Sequence, residues 1–317
     1  MFDFFQKLSK IGKIFLISAI CHGIFLIVIE IVGVSTDTSD YTGFYSALFF
    51  LSVIFAAFFA FIVVTKKNIF QLGSFGIANL LLIFYSVYEF AHTRNTRLYF
   101  LFIVNCLFLF FYGYMIYQLY KEFNWEFWSK AGTTELMQRL YKFWQLFLNF
   151  VGLDLMVNIT LLIGAMTFLF DKDDYEGYVD LIGVILTSLW CWLGYWAYKN
   201  ETKKWTIVFL LLGCLEPIYL IIKLILFRVQ RDTKSKYSKP PIYTIDVLIA
   251  LALIVRIGLS TFTILGYKNF GQGLKDRLSK NYVPQTAPQT QKLVQDGNDE
   301  DEKTTDESTT DSSNQDV

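Results

Sequence analysis

The sequence predicts an all-α, polytopic transmembrane helix bundle of eight spans, followed by a disordered acidic C-terminal tail. Three observations predict it. Of the 317 residues, 54% are hydrophobic and only 18% are charged, whereas an ordinary soluble domain carries about 25% charged residues. The charges fall in short clusters between apolar runs, each close to the ~20 residues that cross a bilayer as a helix. The aromatic set is large, with 32 Phe, 19 Tyr and 7 Trp. Phe favours hydrocarbon, whereas Tyr and Trp favour the headgroup level.

Taken in order, the spans are Ile11–Gly33, Thr42–Val64, Phe70–Phe90, Leu98–Leu119, Leu146–Phe170, Tyr178–Tyr198, Trp205–Phe227 and Ile242–Tyr267. Helices are expected because backbone polar groups must pair internally in lipid. The first run follows Lys7, Lys10 and Lys13, as a signal peptide does. It is too long for a typical signal core and ends in Glu30-Ile31-Val32, not in a small-residue cleavage site, so it reads as an uncleaved span. The fifth run extends upstream, and 135–170 is expected as one helix of about 54 Å that outreaches the hydrocarbon. In the seventh, Pro217 frees a backbone carbonyl and is expected to kink the helix. Residues 1–280 thus form the bundle, and 281–317 the tail.

The basic residues in the connections set the orientation. A cytosolic N-terminus places 16 Lys and Arg in inside segments and 8 outside, which puts both termini in the cytosol. The stretch Arg228–Lys239 opposes this rule, with five basic residues on the outer side. The sequon at Asn200-Glu201-Thr202 falls in an inside connection and is expected to be unused; that at Asn158-Ile159-Thr160 lies within a span.

Between the fourth and fifth spans, residues 120–143 interleave Phe123, Trp125, Phe127 and Trp128 with Lys121, Glu122, Glu126 and Lys130. The mix suits a cytosolic interfacial helix or docked loop, serving either as an aromatic belt or as a site for a protein partner. The tail holds nine acidic residues and one lysine over 296–317. It lacks the apolar residues that would offset its ordering entropy. Thr304, Ser308 and Ser313 each precede an acidic residue by three positions and are candidate phosphorylation sites, although composition alone produces such matches.

Ionisable groups inside spans carry the candidate chemistry, because charge in hydrocarbon is costly. Asp154 and Asn158 lie four apart on the fifth span. Glu216 and Lys223 lie about two turns apart on the seventh, and Arg256 sits midway along the eighth. A lone Arg at that depth costs roughly 3 kcal/mol, so Arg256 is expected to face Glu216 or Asp154. Such a cluster is either a polar pathway for protons or a small solute, or an ion pair that fixes helix register. Phosphate-binding loops, nucleophile elbows and zinc-protease motifs are missing from the sequence. Its two histidines, His22 and His92, belong to different spans. Cys21, Cys106, Cys191 and Cys214 lie in apolar runs without metal spacing. No catalytic, metal or cofactor site is therefore expected. The zero net charge gives no reason to expect a nucleic-acid partner. The bilayer is the expected surrounding, and oligomeric state is not encoded legibly.

The segment Tyr120-Lys-Glu-Phe-Asn-Trp125, with Lys130-Ala-Gly132, Tyr141, Gln145 and Asp154, resembles the central part of a fungal family of Golgi-apparatus multi-pass membrane proteins. The likeness continues through Lys199-Asn-Glu201, Trp205, Tyr219 and Lys223 and closes on Asn269-Phe-Gly-Gln-Gly-Leu-Lys275. It covers about half the chain, Tyr120–Lys275, and departs at Leu155-Met-Val-Asn158. The resemblance implies a Golgi or other endomembrane location and supplies no catalytic residues. The expected role is non-enzymatic, in trafficking, scaffolding or cargo interaction, with a cytosolic partner at 120–143 or the tail. The alternative is a small-solute or proton transporter built on the intramembrane charges. An intramembrane lipid enzyme ranks last.

Overall fold

The computed structural model describes residues 8–36, 42–93, 96–131, 134–169, 176–233 and 239–275. These form nine α-helices: α1 (Lys10–Thr36), α2 (Thr42–Lys66), α3 (Ile69–Thr93), α4 (Thr96–Ala131), α5 (Glu135–Leu169), α6 (Glu176–Lys199), α7 (Lys203–Gly213), α8 (Leu215–Thr233) and α9 (Lys239–Tyr267). They supply eight helical segments long and apolar enough to cross a membrane, with α7 and the start of α8 sharing one span. The tail with Thr304, Ser308 and Ser313 lies outside the described residues, as do 37–41, 170–175 and the centre of the basic stretch at 234–238.

The helices are apolar on both faces, but not alike. On α1 the outward row is aliphatic (Ile14, Ile17, Ile24, Val28, Ile31), while Phe15, Ala19, His22, Leu26 and Glu30 turn inward. A soluble helix would reverse this, keeping polar groups outside. Here the solvent is hydrocarbon, so the polar groups go inward, where they find partners. Glu30 accepts a hydrogen bond from Ser46 Oγ of α2 at 2.5 Å. Two helix starts carry local caps: the Gly12 N–H donates to Ser9 Oγ at 3.0 Å, and the Phe70 N–H to Asn68 Oδ1 at 2.9 Å.

Helices α1 to α4 close into a ring, each packed on the next and α4 back on α1. Its centre is aromatic: Phe15 meets Phe75 edge-on at 4.8 Å, Phe75 meets Tyr112 at 4.9 Å, and His22 stacks on Phe108 at 3.9 Å. Helix α5 lies against α2 and α3 of this ring and also carries α6 and α9, so it joins the two halves of the bundle. On the far side α6 crosses α7 closely, because a Cβ at Gly194 would sit inside the Phe209 ring.

Two features of the helices differ from expectation. Residues 120–131 continue the fourth span and do not form a separate helix or loop. Helix α4 runs unbroken through 36 residues to Ala131, and α5 restarts at Glu135. The expected kink at Pro217 is a one-residue break in the helix one turn earlier, at Cys214, whose N–H turns to the Leu211 carbonyl at 3.2 Å. Proline at 217 cannot donate to the carbonyl of Gly213 and its ring crowds it, so the ladder fails there.

Candidate functional site: a buried charge cluster

The break in the seventh span sets Glu216 at the first turn of α8, beside Arg256 in the middle of α9. Arg256 of α9 comes inward at 5% exposure, and Asp154 of α5 is fully buried. The guanidinium bridges both acids: Arg256 Nη2 stands 3.1 Å from Asp154 Oδ2 and also donates to Glu216 Oε2. Its carbon lies 4.0 Å from the ring centroid of Trp190 on α6. Trp190 is itself fixed, stacked on Phe209 at 4.2 Å with its Nε1–H donating to the Phe209 carbonyl at 3.0 Å. Gly213 leaves room for this packing, since a Cβ there would lie 3.0 Å from the Trp190 ring. An arginine keeps its proton, so these contacts replace the hydration that hydrocarbon cannot give.

Asp154, Glu216 and Arg256 thus come together from three helices. Asn158, one turn after Asp154, is 2% exposed, and its side-chain amide faces the Asp154 carboxylate. The side chain of Lys223 lies outside the described residues. Sequence reasoning missed Trp190, which carried no charge to mark it. Beside the cluster is a cleft of about 450 Å³ between α5, α6 and the α7–α8 break, bordered by Asn158, Trp190, Glu216 and Tyr219. Its rim is aliphatic, with Ile182, Leu186 and Leu215 exposed at 56–60%. Among the described residues, no group of three His, Cys, Asp or Glu side chains is placed to hold a metal ion.

The four aromatic residues of the α4 extension split by face. Phe123 and Phe127 are buried, with Phe127 against Phe70 and Tyr141 at 6.3 and 5.3 Å. Trp125 and Trp128 face outward at 82% and 47% exposure. Lys67, at the α2–α3 turn, pairs with Glu126 at 2.7 Å and holds the extension to the bundle.

Several residues between 120 and 275 act as fasteners at this same end. Gln145 Nε2 donates to the Tyr141 hydroxyl at 2.9 Å. The Glu201 carboxylate accepts the backbone N–H of Gly271 at 2.8 Å and of Lys275 at 3.0 Å, so it clasps the segment after α9. Gly271 and Gly273 supply the left-handed backbone this needs, at φ +91° and +92°. Glu201→Ala is expected to leave the bundle folded. It should raise amide hydrogen exchange at Gly271 and Lys275 selectively; unchanged protection there would contradict the clasp.

Fold and site together define a polytopic α-helical membrane protein with a closed charge cluster in its C-terminal half. A family model described as Domain of unknown function (DUF7789) matches residues 131–265, the stretch that contains Asp154, Glu216 and Arg256. Comparison with curated proteins and with solved structures returns no match.

Proposed function

We propose that this is a non-enzymatic protein of the Golgi or a neighbouring endomembrane, acting in trafficking, scaffolding or cargo interaction, with both termini in the cytosol. One observation carries the preference over transport: Arg256 is consumed by Asp154 and Glu216 at 5% exposure, as a register-fixing lock would be. A conducting pathway needs charges that water or solute reaches in turn. The cleft beside the cluster is rimmed by aliphatic side chains, as a surface toward lipid is. The α4 extension supports a docking role, because Trp125 and Trp128 project from an anchored helix end while Phe123 and Phe127 hold it. The Golgi-like pattern over Tyr120–Lys275 and the basic-residue asymmetry support the location and orientation.

Two measurements test this. Purified protein in proteoliposomes is expected to leave an imposed proton gradient intact, and Trp125→Ala with Trp128→Ala is expected to shift the tagged protein's distribution among endomembranes without loss of folded protein. Gradient collapse that Glu216→Gln abolishes would instead establish the transporter reading.

A further inference from the structure

We propose that the α6–α7 turn and the segment after α9 together bind the headgroup of an anionic lipid that carries a phosphate monoester. The surface they form is basic. Residues 195–205 and 267–275 hold five exposed lysines, Lys199, Lys203, Lys204, Lys268 and Lys275, and one acid, Glu201. Asp276 and Arg277 come next in the sequence and cancel. None of the five lysines forms an ion pair among the described residues. The two segments make one surface, because the Glu201 carboxylate accepts the N–H groups of Gly271 at 2.8 Å and Lys275 at 3.0 Å. Each lysine lies within three residues of Glu201 or of one of those two partners. Helix α5 adjoins this surface, since a Cβ at Gly273 would lie 3.0 Å from Met137. The acid in its first turn, Glu135, is already paired with Arg139 at 3.1 Å and does not offset the excess.

Depth identifies the source of the anion. Three spans end at this surface, at Lys199, Lys203 and Tyr267. The lysines therefore stand at the edge of the hydrocarbon, where lipid phosphates lie. Trp196 and Trp205 mark the same level independently of charge. They meet edge-on at 6.1 Å and are 36% and 48% exposed, as indoles at the headgroup level are. Beside them Lys199 lies over the Tyr195 ring at 5.7 Å. Helix α7 starts at the same turn with neither a side-chain cap from Thr202 nor an acid in its first turn, so the positive end of its dipole adds to the lysines. Five lysines against one acid leave an excess of four positive charges. A headgroup with only a phosphodiester brings a single negative charge, which one lysine satisfies. A phosphate monoester adds about 1.5–2 more and draws on lysines from both segments. Lysine suits this task, because its ammonium binds phosphate as a point charge without a fixed fork geometry.

The test is native mass spectrometry of the full chain in maltoside micelles, with phosphatidylinositol monophosphate, phosphatidylinositol and phosphatidylcholine in competition. The monophosphate is expected to bind about tenfold tighter than phosphatidylinositol, with phosphatidylcholine last. Lys203→Gln with Lys275→Gln takes one cation from each segment and should erase that preference. Both side chains are exposed, so the thermal midpoint should hold. Glu201→Ala separates a built site from charge alone, because the two predict opposite signs. It removes a negative charge, which diffuse attraction would turn into tighter binding. It also frees the segment that carries Lys268 and Lys275 from the turn. Weaker binding of the monophosphate is the expected result. Equal binding of the monophosphate and phosphatidylinositol to the unaltered protein would overturn the proposal. So would a preference that survives the double lysine variant, or one that grows in Glu201→Ala. None of these results bears on endomembrane sorting through Trp125 and Trp128.

Discussion

Arg256→Ala is expected to cost about 3–5 kcal/mol. The alanine removes the cation that Asp154 and Glu216 share and leaves two carboxylates facing one another within hydrocarbon. It also removes the group packed on Trp190 at 4.0 Å, one of the contacts between α6 and α9. The loss would be read as a fall in thermal midpoint in detergent, together with reduced steady-state protein in membranes. Pairing Arg256→Ala with Asp154→Asn should recover part of the loss, because one abandoned charge is gone. A midpoint for Arg256→Ala equal to that of the unaltered protein would mean that the guanidinium is not holding the acids.

Gly194→Leu is expected to have the next largest effect, about 1–3 kcal/mol from overpacking. The side chain would be forced into the Phe209 ring, which is the surface that Trp190 stacks on. Separating α6 from α7 would therefore disturb the charge cluster through Trp190, although Gly194 touches no ion. A control at Gly73, where a Cβ meets nothing within 4 Å, should leave the midpoint unchanged. Equal effects at the two glycines would show that helix propensity, and not the α6–α7 crossing, sets the cost.

The eight spans were legible because bilayer thickness imposes one length on every run, and the charge clusters punctuate them. The ends were less so. Length and hydropathy do not separate a span from the helix that continues beyond it, which is why α4 runs twelve residues past Leu119 to Ala131. Arg256 was legible as a buried cation because a charge at mid-span has so few acceptable surroundings. Its two acids were visible as candidates, but one guanidinium bridging both depends on how α5, α8 and α9 sit side by side, which no spacing along the chain encodes. Trp190 was not legible as part of the site, since one aromatic among 58 carries no mark of what it stacks on. The Glu201 clasp left a trace in the glycines at 271 and 273 without naming its acceptor.

The measurement that bears most directly on the role of the cluster is complete replacement of its charges by apolar groups of similar size: Arg256→Met, Asp154→Leu and Glu216→Leu in one protein. A lock that only fixes register is dispensable once its members are replaced together, since a packed apolar trio avoids the desolvation cost that the ions carry. The triple variant is expected to match or exceed the thermal midpoint of the unaltered protein and to reach the same membrane with the same cellular effect. A triple variant that folds and sorts normally but loses its cellular effect would contradict the lock and make the charges themselves the working part.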